Sequence, residues 1–254
     1  MTFFLDGLVW LADPANWTGI NAIPTRVAEH LWYSAAALAV AGAIALPAGL
    51  WVGHTRRYAG LVVTTGNLGR AVPDLGIVAL AAVLIGFGVL PVILALIALA
   101  IPPVLTNTYT GVREVDPQVR DAAEGMGFSG WQLLWRVEAP LALPLVFAGL
   151  RTSTVQVIAT ATIAGFIGQA GGLGRYIFDG IALQDTARVV GGAVLCALLA
   201  VAADLALGRA QRRALPRGLA LAQAMPEAGG EGPTTTGQPA SIGRSASATE
   251  GSKG

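Results

Sequence analysis

Arg70 and Asp74 stand four residues apart within an otherwise apolar segment of the chain. On a continuous helix this spacing would place both side chains on one face. Charges inside a bilayer cost at least about 2.5 kcal/mol each on insertion scales, so they usually pair or line a water-filled route. The pair is therefore a candidate for a polar pathway or its gate. The alternative has Arg70 extending to the membrane interface, with Asp74 capping a half-helix that begins after Pro73.

A second set of polar side chains follows one helical stripe. Ser153, Gln156 and Thr160 recur at spacings of three and four residues within the apolar stretch 141–167. Hydroxyl and amide groups in this arrangement can line a pathway for a zwitterionic solute, which makes these three our other candidate pathway residues. They can equally bond backbone carbonyls or neighbouring helices, which is the commoner use of such residues in membranes.

The groups that a membrane-embedded enzyme would need are sparse. Arg151 and Asp204 stand alone in their apolar runs, and Cys196 is the single cysteine, which excludes a disulfide framework. His30 and His54 have no further metal ligand nearby at a suitable spacing. We therefore predict no catalytic residue and no metal site.

The composition indicates whether these residues lie in water or in a membrane. Of the 254 residues, 54% are hydrophobic and 12% are charged, about half the charged fraction of an ordinary soluble domain. Apolar stretches of about 20 residues, enough to cross a bilayer, recur between positions 29 and 208. The net charge of +1 lacks the basic excess typical of nucleic-acid-binding proteins. The sequence predicts an all-α, multi-pass protein of the inner (plasma) membrane.

Five core spans account for the apolar stretches, at about 31–52, 58–87, 91–109, 141–167 and 189–207. Glycines and prolines interrupt the second span, which predicts a kinked or broken helix there. Arginines concentrate on the side that also carries the carboxyl terminus, which favours a cytoplasmic location for that side. The predicted organisation is an interfacial lead-in (1–28), a transmembrane domain (29–208), and a basic and then disordered cytoplasmic tail (209–254).

The connection between the third and fourth spans, residues 112–140, mixes charged residues with alanine, glycine and aromatics. Ala122 and Ala123 give a smooth helical surface, and Gly127 can end that helix in a left-handed conformation. A second short helix then presents a hydrophobic stripe, formed by Phe128, Trp131, Leu134 and Trp135. This pattern is typical of an element that docks into a groove of a partner. The alternative is an amphipathic helix lying on the membrane surface.

The spacing within this loop resembles the EAA signature of type I ABC importer permeases. That signature has an acidic residue, two alanines, three residues, a glycine and nine residues, followed by an aliphatic, any residue, an aliphatic and a proline. The matching positions are Asp121, Ala122, Ala123, Gly127, Val137 and Pro140. Asp121 stands where glutamate is usual, Val137 where isoleucine is usual, and Ala139 where leucine is usual. The resemblance implies that these residues couple the chain to an ATPase.

Longer runs resemble the permeases of osmoprotectant importers for glycine betaine, carnitine or choline. They include 106–112, 161–168 and 171–174, and the likeness extends over about residues 30–208. The resemblance implies a type I ABC importer transmembrane domain and a substrate of that class. A permease for another small solute, such as an amino acid, is the alternative, because the EAA loop is common to both.

The same resemblance implies several partners. They are a cytoplasmic ABC ATPase dimer that carries ATP and Mg²⁺, a second permease subunit that is identical or homologous, and an extracytoplasmic solute-binding protein. The sequence contains no Gly-rich phosphate loop ending in Gly-Lys-Ser or Gly-Lys-Thr. We therefore expect a non-enzymatic permease subunit in the lipid bilayer that itself binds no cofactor and no nucleic acid.

Overall fold

In the computed structural model, which describes residues 2–165 and 171–214, every regular element of those residues is helical. The α-helices are α1 (Thr2–Ala12), α2 (Ile23–Thr55), α3 (Ala59–Ala71), α4 (Asp74–Ile85), α5 (Val89–Arg113), α6 (Pro117–Gly125), α7 (Gly130–Leu133), α8 (Ala139–Ala161), α9 (Gly174–Ala182) and α10 (Thr186–Ala214). A π-helical turn, Leu134–Glu138, joins α7 to α8. Among these residues four helical stretches are long and apolar enough to cross a bilayer, and the bent pair α3 and α4 supplies a fifth. The predicted five-span, all-α architecture is confirmed.

The first span is longer than the stretch predicted at 31–52. α2 has 33 residues, which at 1.5 Å per residue extend about 50 Å, well beyond a hydrocarbon core of about 30 Å. It begins at Ile23, with Pro24 in the first turn, where the missing amide of proline costs nothing. Residues 23–28, assigned by the sequence to the lead-in, are thus the first turns of this helix. Arg56 and Tyr58 then adopt left-handed conformations that turn the chain into α3.

The second span is broken, as predicted. α3 and α4 meet at an angle of 92°. Val72 is extended and Pro73 precedes the first residue of α4. Proline lacks an amide proton and disfavours a helical conformation at the residue before it, which explains why the helix stops here.

The core forms where α5 packs between α2 and α8. Its centre is a cluster of small and branched apolar side chains that includes Ala37, Leu96 and Val157. Gly49 and Gly53 lie where α2 crosses α5, and a Cβ on either glycine would come within 2.7 Å of a side chain of α5. Small residues at these positions therefore allow the two backbones to approach closely, the usual way in which membrane helices gain packing.

α10 packs against α8 and α9, and α1 lies along α10. A Cβ on Gly191 of α10 would meet the Trp10 ring at 2.4 Å, so the absence of a side chain there makes room for the indole of α1. The interfacial location of residues 1–28 stays a prediction. Residues 209–214 continue α10, and the rest of the tail, which the sequence predicts to be disordered, lies outside the described part of the chain.

Candidate functional site

The predicted coupling loop begins with the short helix α6. The Asp116 carboxylate caps it by accepting a hydrogen bond from the backbone amide of Gln118 at 2.8 Å, which satisfies one of the free amides at the start of a helix. Asp121 and Ala122 are exposed, whereas Ala123 is buried. One side of α6 is therefore anchored, and the other side is open to a partner.

Gly127 makes the turn that follows α6. Its φ is +85°, in the left-handed region that favours glycine. The amide of Gly127 donates to the Glu124 carbonyl at 2.9 Å, and the amide of Phe128 donates to the Ala123 carbonyl at 3.2 Å. These bonds satisfy the last carbonyls of α6. The prediction that Gly127 ends this helix is confirmed.

The second half of the loop continues directly into the fourth span. Ser129 and Gln132 form a reciprocal capping box at the start of α7. Val137 lies in the π-helical turn and Pro140 in the first turn of α8, and both are partly buried. The two halves of the motif thus lie on two helices that the Gly127 turn joins.

Three residues of the hydrophobic stripe after Gly127 line one apolar cavity. Trp131 and Trp135 meet edge to face, with ring centroids 5.6 Å apart, and are 65% and 49% exposed. With Trp51 and its neighbours on α2 they line an apolar cavity of about 460 Å³. Leu134 is buried and lines the same cavity beside the two tryptophans. The docking of this stripe to a partner stays a prediction.

Glu138 is the residue of this loop that sequence reasoning missed. It occupies the position of the motif where any residue is allowed, yet its side chain is 0% exposed. Its partners are Arg120 on α6 and His54 at the end of α2. An acidic residue at the start of an apolar span was the only available signal, because a buried charge requires partners.

A polar cavity of about 450 Å³ opens between the broken second span and helices α5 and α8. Its wall includes Gly66, Gly69, Asp74, Asn107, Thr152 and Gln156. Asp74 is the first residue of α4, where the helix dipole favours a carboxylate. Thr160 adjoins the cavity, since its hydroxyl donates to the Asp74 carboxylate at 2.8 Å. Three of the five candidate pathway residues, Asp74, Gln156 and Thr160, therefore come together.

The other two candidates are placed differently. Ser153 is buried and its hydroxyl donates to the Ala100 carbonyl at 2.9 Å, which is the interhelical use left open by the sequence. The argument that put Arg70 and Asp74 on one helical face is wrong, because α3 ends at Ala71 and α4 begins at Asp74 with a sharp bend between them. The side chain of Arg70 lies outside the described part of the chain.

Arg151 and Asp204 do not stand alone, which corrects the sequence interpretation. The Arg151 Nε and Nη2 atoms donate to the two Asp204 carboxylate oxygens at 2.8 and 2.7 Å. This bidentate pair joins α8 to α10, and its side chains are 38% and 32% exposed. The two residues are 53 positions apart, so only the packing of the two helices reveals the pair. It borders a third cavity, which shares Thr152 with the polar cavity.

His30 also has a role that the sequence did not show. It is fully buried, with Nε2 3.0 Å from the Ile158 carbonyl and Nδ1 3.3 Å from the backbone amide of Leu173. Because a carbonyl only accepts and an amide N–H only donates, the proton is assigned to Nε2. The Glu29 carboxylate accepts from the amide of Gly172 at 2.8 Å. These bonds tie the start of α2 to the glycine-rich segment before α9.

Comparisons with known proteins agree with this architecture. The family model of the binding-protein-dependent transport system inner membrane component matches residues 42–217. The chain is 39% identical over 194 residues to the glycine betaine/carnitine/choline transport system permease protein OpuCB of Bacillus subtilis (strain 168), covering 76% of this chain and 89% of that protein. It is 38% identical over 191 residues to the carnitine transport permease protein OpuCB of Listeria monocytogenes, covering 75% and 87%.

A solved structure shares the fold. A chain from an inward-facing structure of the MetNI methionine ABC transporter superposes with a TM-score of 0.66 at 20% identity, covering 75% of this chain and 95% of that one. The helical architecture, the EAA-type loop and the extent of these matches lead to one conclusion. The chain belongs to the family of binding-protein-dependent transport system inner membrane components, as a multi-pass permease of a type I ABC importer.

Proposed function

We propose that this permease imports osmoprotectants such as glycine betaine, carnitine or choline. The observation that carries the proposal is the 39% identity that extends over 89% of a permease named for these three compounds. The alternative, an amino acid, has the likeness to the methionine transporter in its favour, but at 20% identity that likeness concerns the fold.

The proposal includes a separate cytoplasmic ATPase dimer that binds ATP and Mg²⁺. The exposed Asp121 and Ala122 on α6 form the surface offered to it. Gly127 turns the chain from α6 into α7, and Val137 and Pro140 lie where the π-helical turn leads into the fourth span. A second permease subunit, identical or homologous, completes the membrane assembly. A solute-binding protein outside the cell delivers the substrate. The short docking helix with one open side supports this arrangement.

The polar cavity beside the broken second span is the proposed substrate pathway. It places a carboxylate, a carboxamide and hydroxyl groups at its wall, from Asp74, Gln156 and Thr152. A quaternary ammonium group cannot donate hydrogen bonds, so charge attraction is the main polar interaction available to it. Asp74 supplies that charge, and the hydrogen bond from Thr160 orients its carboxylate.

Reconstitution with labelled substrates tests the substrate class. The affinity-tagged permease is purified with its native partners, inserted into proteoliposomes and supplied with the solute-binding protein. We expect ATP-dependent uptake of at least one of labelled glycine betaine, carnitine and choline, and no comparable uptake of methionine. Uptake of methionine without any of the three would refute the proposal and favour the amino-acid alternative.

The pathway assignment predicts a large effect of Asp74→Asn. This substitution keeps the size of the side chain but removes its charge, so uptake of a quaternary ammonium compound is expected to fall about tenfold, equivalent to about 1.4 kcal/mol. Thr160→Val, which removes only the orienting hydroxyl, is expected to lower uptake by about twofold to fivefold, in line with a net hydrogen-bond contribution of about 1 kcal/mol or less. Initial uptake rates, normalised to the amount of assembled complex, provide the measurement.

Ser153→Ala is the control for Thr160→Val. Ser153 lies on α8, as Thr160 does, but its hydroxyl donates to a backbone carbonyl inside the bundle. It is expected to affect stability slightly and to leave the normalised uptake rate unchanged. Wild-type uptake by the Asp74→Asn complex would contradict the assignment of this cavity as the pathway.

A further inference from the structure

Three elements meet at the buried carboxylate of Glu138. Its Oε2 lies 2.5 Å from Nδ1 of His54 at the cytoplasmic end of α2, and its Oε1 lies 3.1 Å from Nη1 of Arg120 on α6. Glu138 is 0% exposed, Arg120 is 14% exposed and His54 is 19% exposed. All three side chains are thus largely withdrawn from solvent, and the charges of Glu138 and Arg120 attract each other through a medium that screens them weakly.

The backbone around Glu138 explains why it points inward. Glu138 is the last residue of the π-helical turn that joins α7 to α8. A π-helical turn inserts a residue into the helical register and is frequent at functional sites. Pro140, two residues later, lies in the first turn of α8 and needs no amide partner there. The carboxylate therefore belongs to the junction between the docking loop and the fourth span.

The contacts of α6 show how the cluster of Glu138, Arg120 and His54 connects this helix to the membrane helices. Among the described residues, α6 packs mainly against α7 and the π-helical turn. Asp121 and Ala122 face outward, whereas the adjacent Arg120 reaches inward to Glu138. His54 also adjoins the start of α7, since a Cβ on Gly130 would lie 3.4 Å from its Nε2. A displacement of α6 therefore acts on a carboxylate that also contacts α2 and continues into α8.

We propose that Glu138 is a positioning residue that joins the docking helix α6 to the membrane helices α2 and α8, so that movement of α6 reaches both helices through the Arg120 and His54 contacts. The inference rests on the proposed docking of an ATPase at α6. Separating a buried carboxylate from one of its partners costs free energy. The helices α2, α6 and α8 therefore move together rather than separately. Glu138 acts through its partners and contacts neither ATP nor the transported solute.

The test compares uptake with ATP hydrolysis in the same reconstituted complex. Arg120→Gln and Glu138→Gln each remove one charge of the ion pair; Glu138→Gln keeps the size of the side chain, whereas Arg120→Gln also shortens it. We expect each complex to assemble and to hydrolyse ATP within about twofold of wild type, while solute uptake per ATP hydrolysed falls about tenfold, a coupling effect of ordinary size. Arg120→Lys keeps the cation and is expected to recover most of the ratio. The double variant should be no worse than the worse single variant, because both changes break the same Arg120–Glu138 contact.

Glu114→Gln is the control for Glu138→Gln. It makes the same chemical change, but at a residue that is exposed at the end of α5. It is expected to leave the ratio unchanged. Proportional losses of uptake and ATP hydrolysis, additive effects in the double variant, or failure of Arg120→Lys to recover the ratio would overturn the inference and leave the cluster a structural feature. Should Glu138→Gln lower the amount of complex, the Arg120 variants decide alone.

The wild-type complex separates this inference from the proposed substrate class. If the wild-type complex hydrolyses ATP and imports a solute other than an osmoprotectant, the substrate proposal fails. The uptake per ATP hydrolysed is then measured with that solute. If no ATPase binds the chain at α6, both the docking proposal and the inference built on it fail.

Discussion

Gly127→Val is expected to abolish most of the transport activity while the permease still inserts into the membrane. Gly127 has a φ of +85°, and a left-handed conformation costs an L-residue about 1–2 kcal/mol, more when the side chain is branched at Cβ. A Cβ at this position would meet no atom within 4 Å, so the effect is due to the backbone and not to a clash. The turn would open and tilt α6 away from α7. Uptake and ATPase co-purification with the Gly127→Val permease provide the measurements.

Gly125 supplies a closely matched control. It is exposed, a Cβ there would also meet no atom within 4 Å, and it is the last residue of α6 without a left-handed φ. Gly125→Val therefore introduces the same side chain in a permitted conformation, and we expect near-normal uptake. Gly127→Asn should fall between the two, because asparagine tolerates the left-handed region better than valine. Equal uptake by the Gly127→Val and Gly125→Val complexes would show that the turn does not depend on glycine.

Breaking the Arg151–Asp204 pair is expected to have the second large effect. Arg151→Met leaves the Asp204 carboxylate without its two donors, and Asp204→Leu leaves a guanidinium without its counter-charge. An unpaired charge on a membrane helix is costly, so each single variant should lower the amount of assembled complex severalfold. Detergent-resistant complex, quantified by size-exclusion chromatography, is the measurement.

The double variant Arg151→Met with Asp204→Leu removes both charges together. It is expected to recover most of the assembled complex, because replacing an ion pair by apolar side chains is often neutral whereas removing one partner is not. Losses in the double variant that equal the sum of the two single losses would show that the residues act independently. Such a result would contradict the pair.

The polar contacts show how far sequence reasoning reached at the candidate site. The Gly127 turn at the end of α6 was predictable, because such a turn depends on residues within a few positions of each other. The sequence grouped Asp74 with Arg70, and Gln156 and Thr160 with Ser153, but it did not predict that Asp74, Gln156 and Thr160 converge. Thr160 and Asp74 are 86 residues apart, and the predicted partner of Asp74 was the sequence neighbour Arg70. Because the chain bends at Pro73, Arg70 and Asp74 lie on different helices and do not share one helical face.

The sequence by itself determined that this protein is a bundle of membrane helices with one broken span and a docking loop. A helix in lipid satisfies its hydrogen bonds within about four residues, and its location depends on the polarity of about 20 consecutive residues, so both are readable along the chain. Only the tertiary structure decided which charges meet. Glu138 and His54 are 84 residues apart, and Arg151 and Asp204 are 53 residues apart. Patterns within a few consecutive residues cannot predict such pairs. Their pairing follows from how α2, α6, α8 and α10 pack, because a buried charge must find its partner on whichever helix the packing brings beside it.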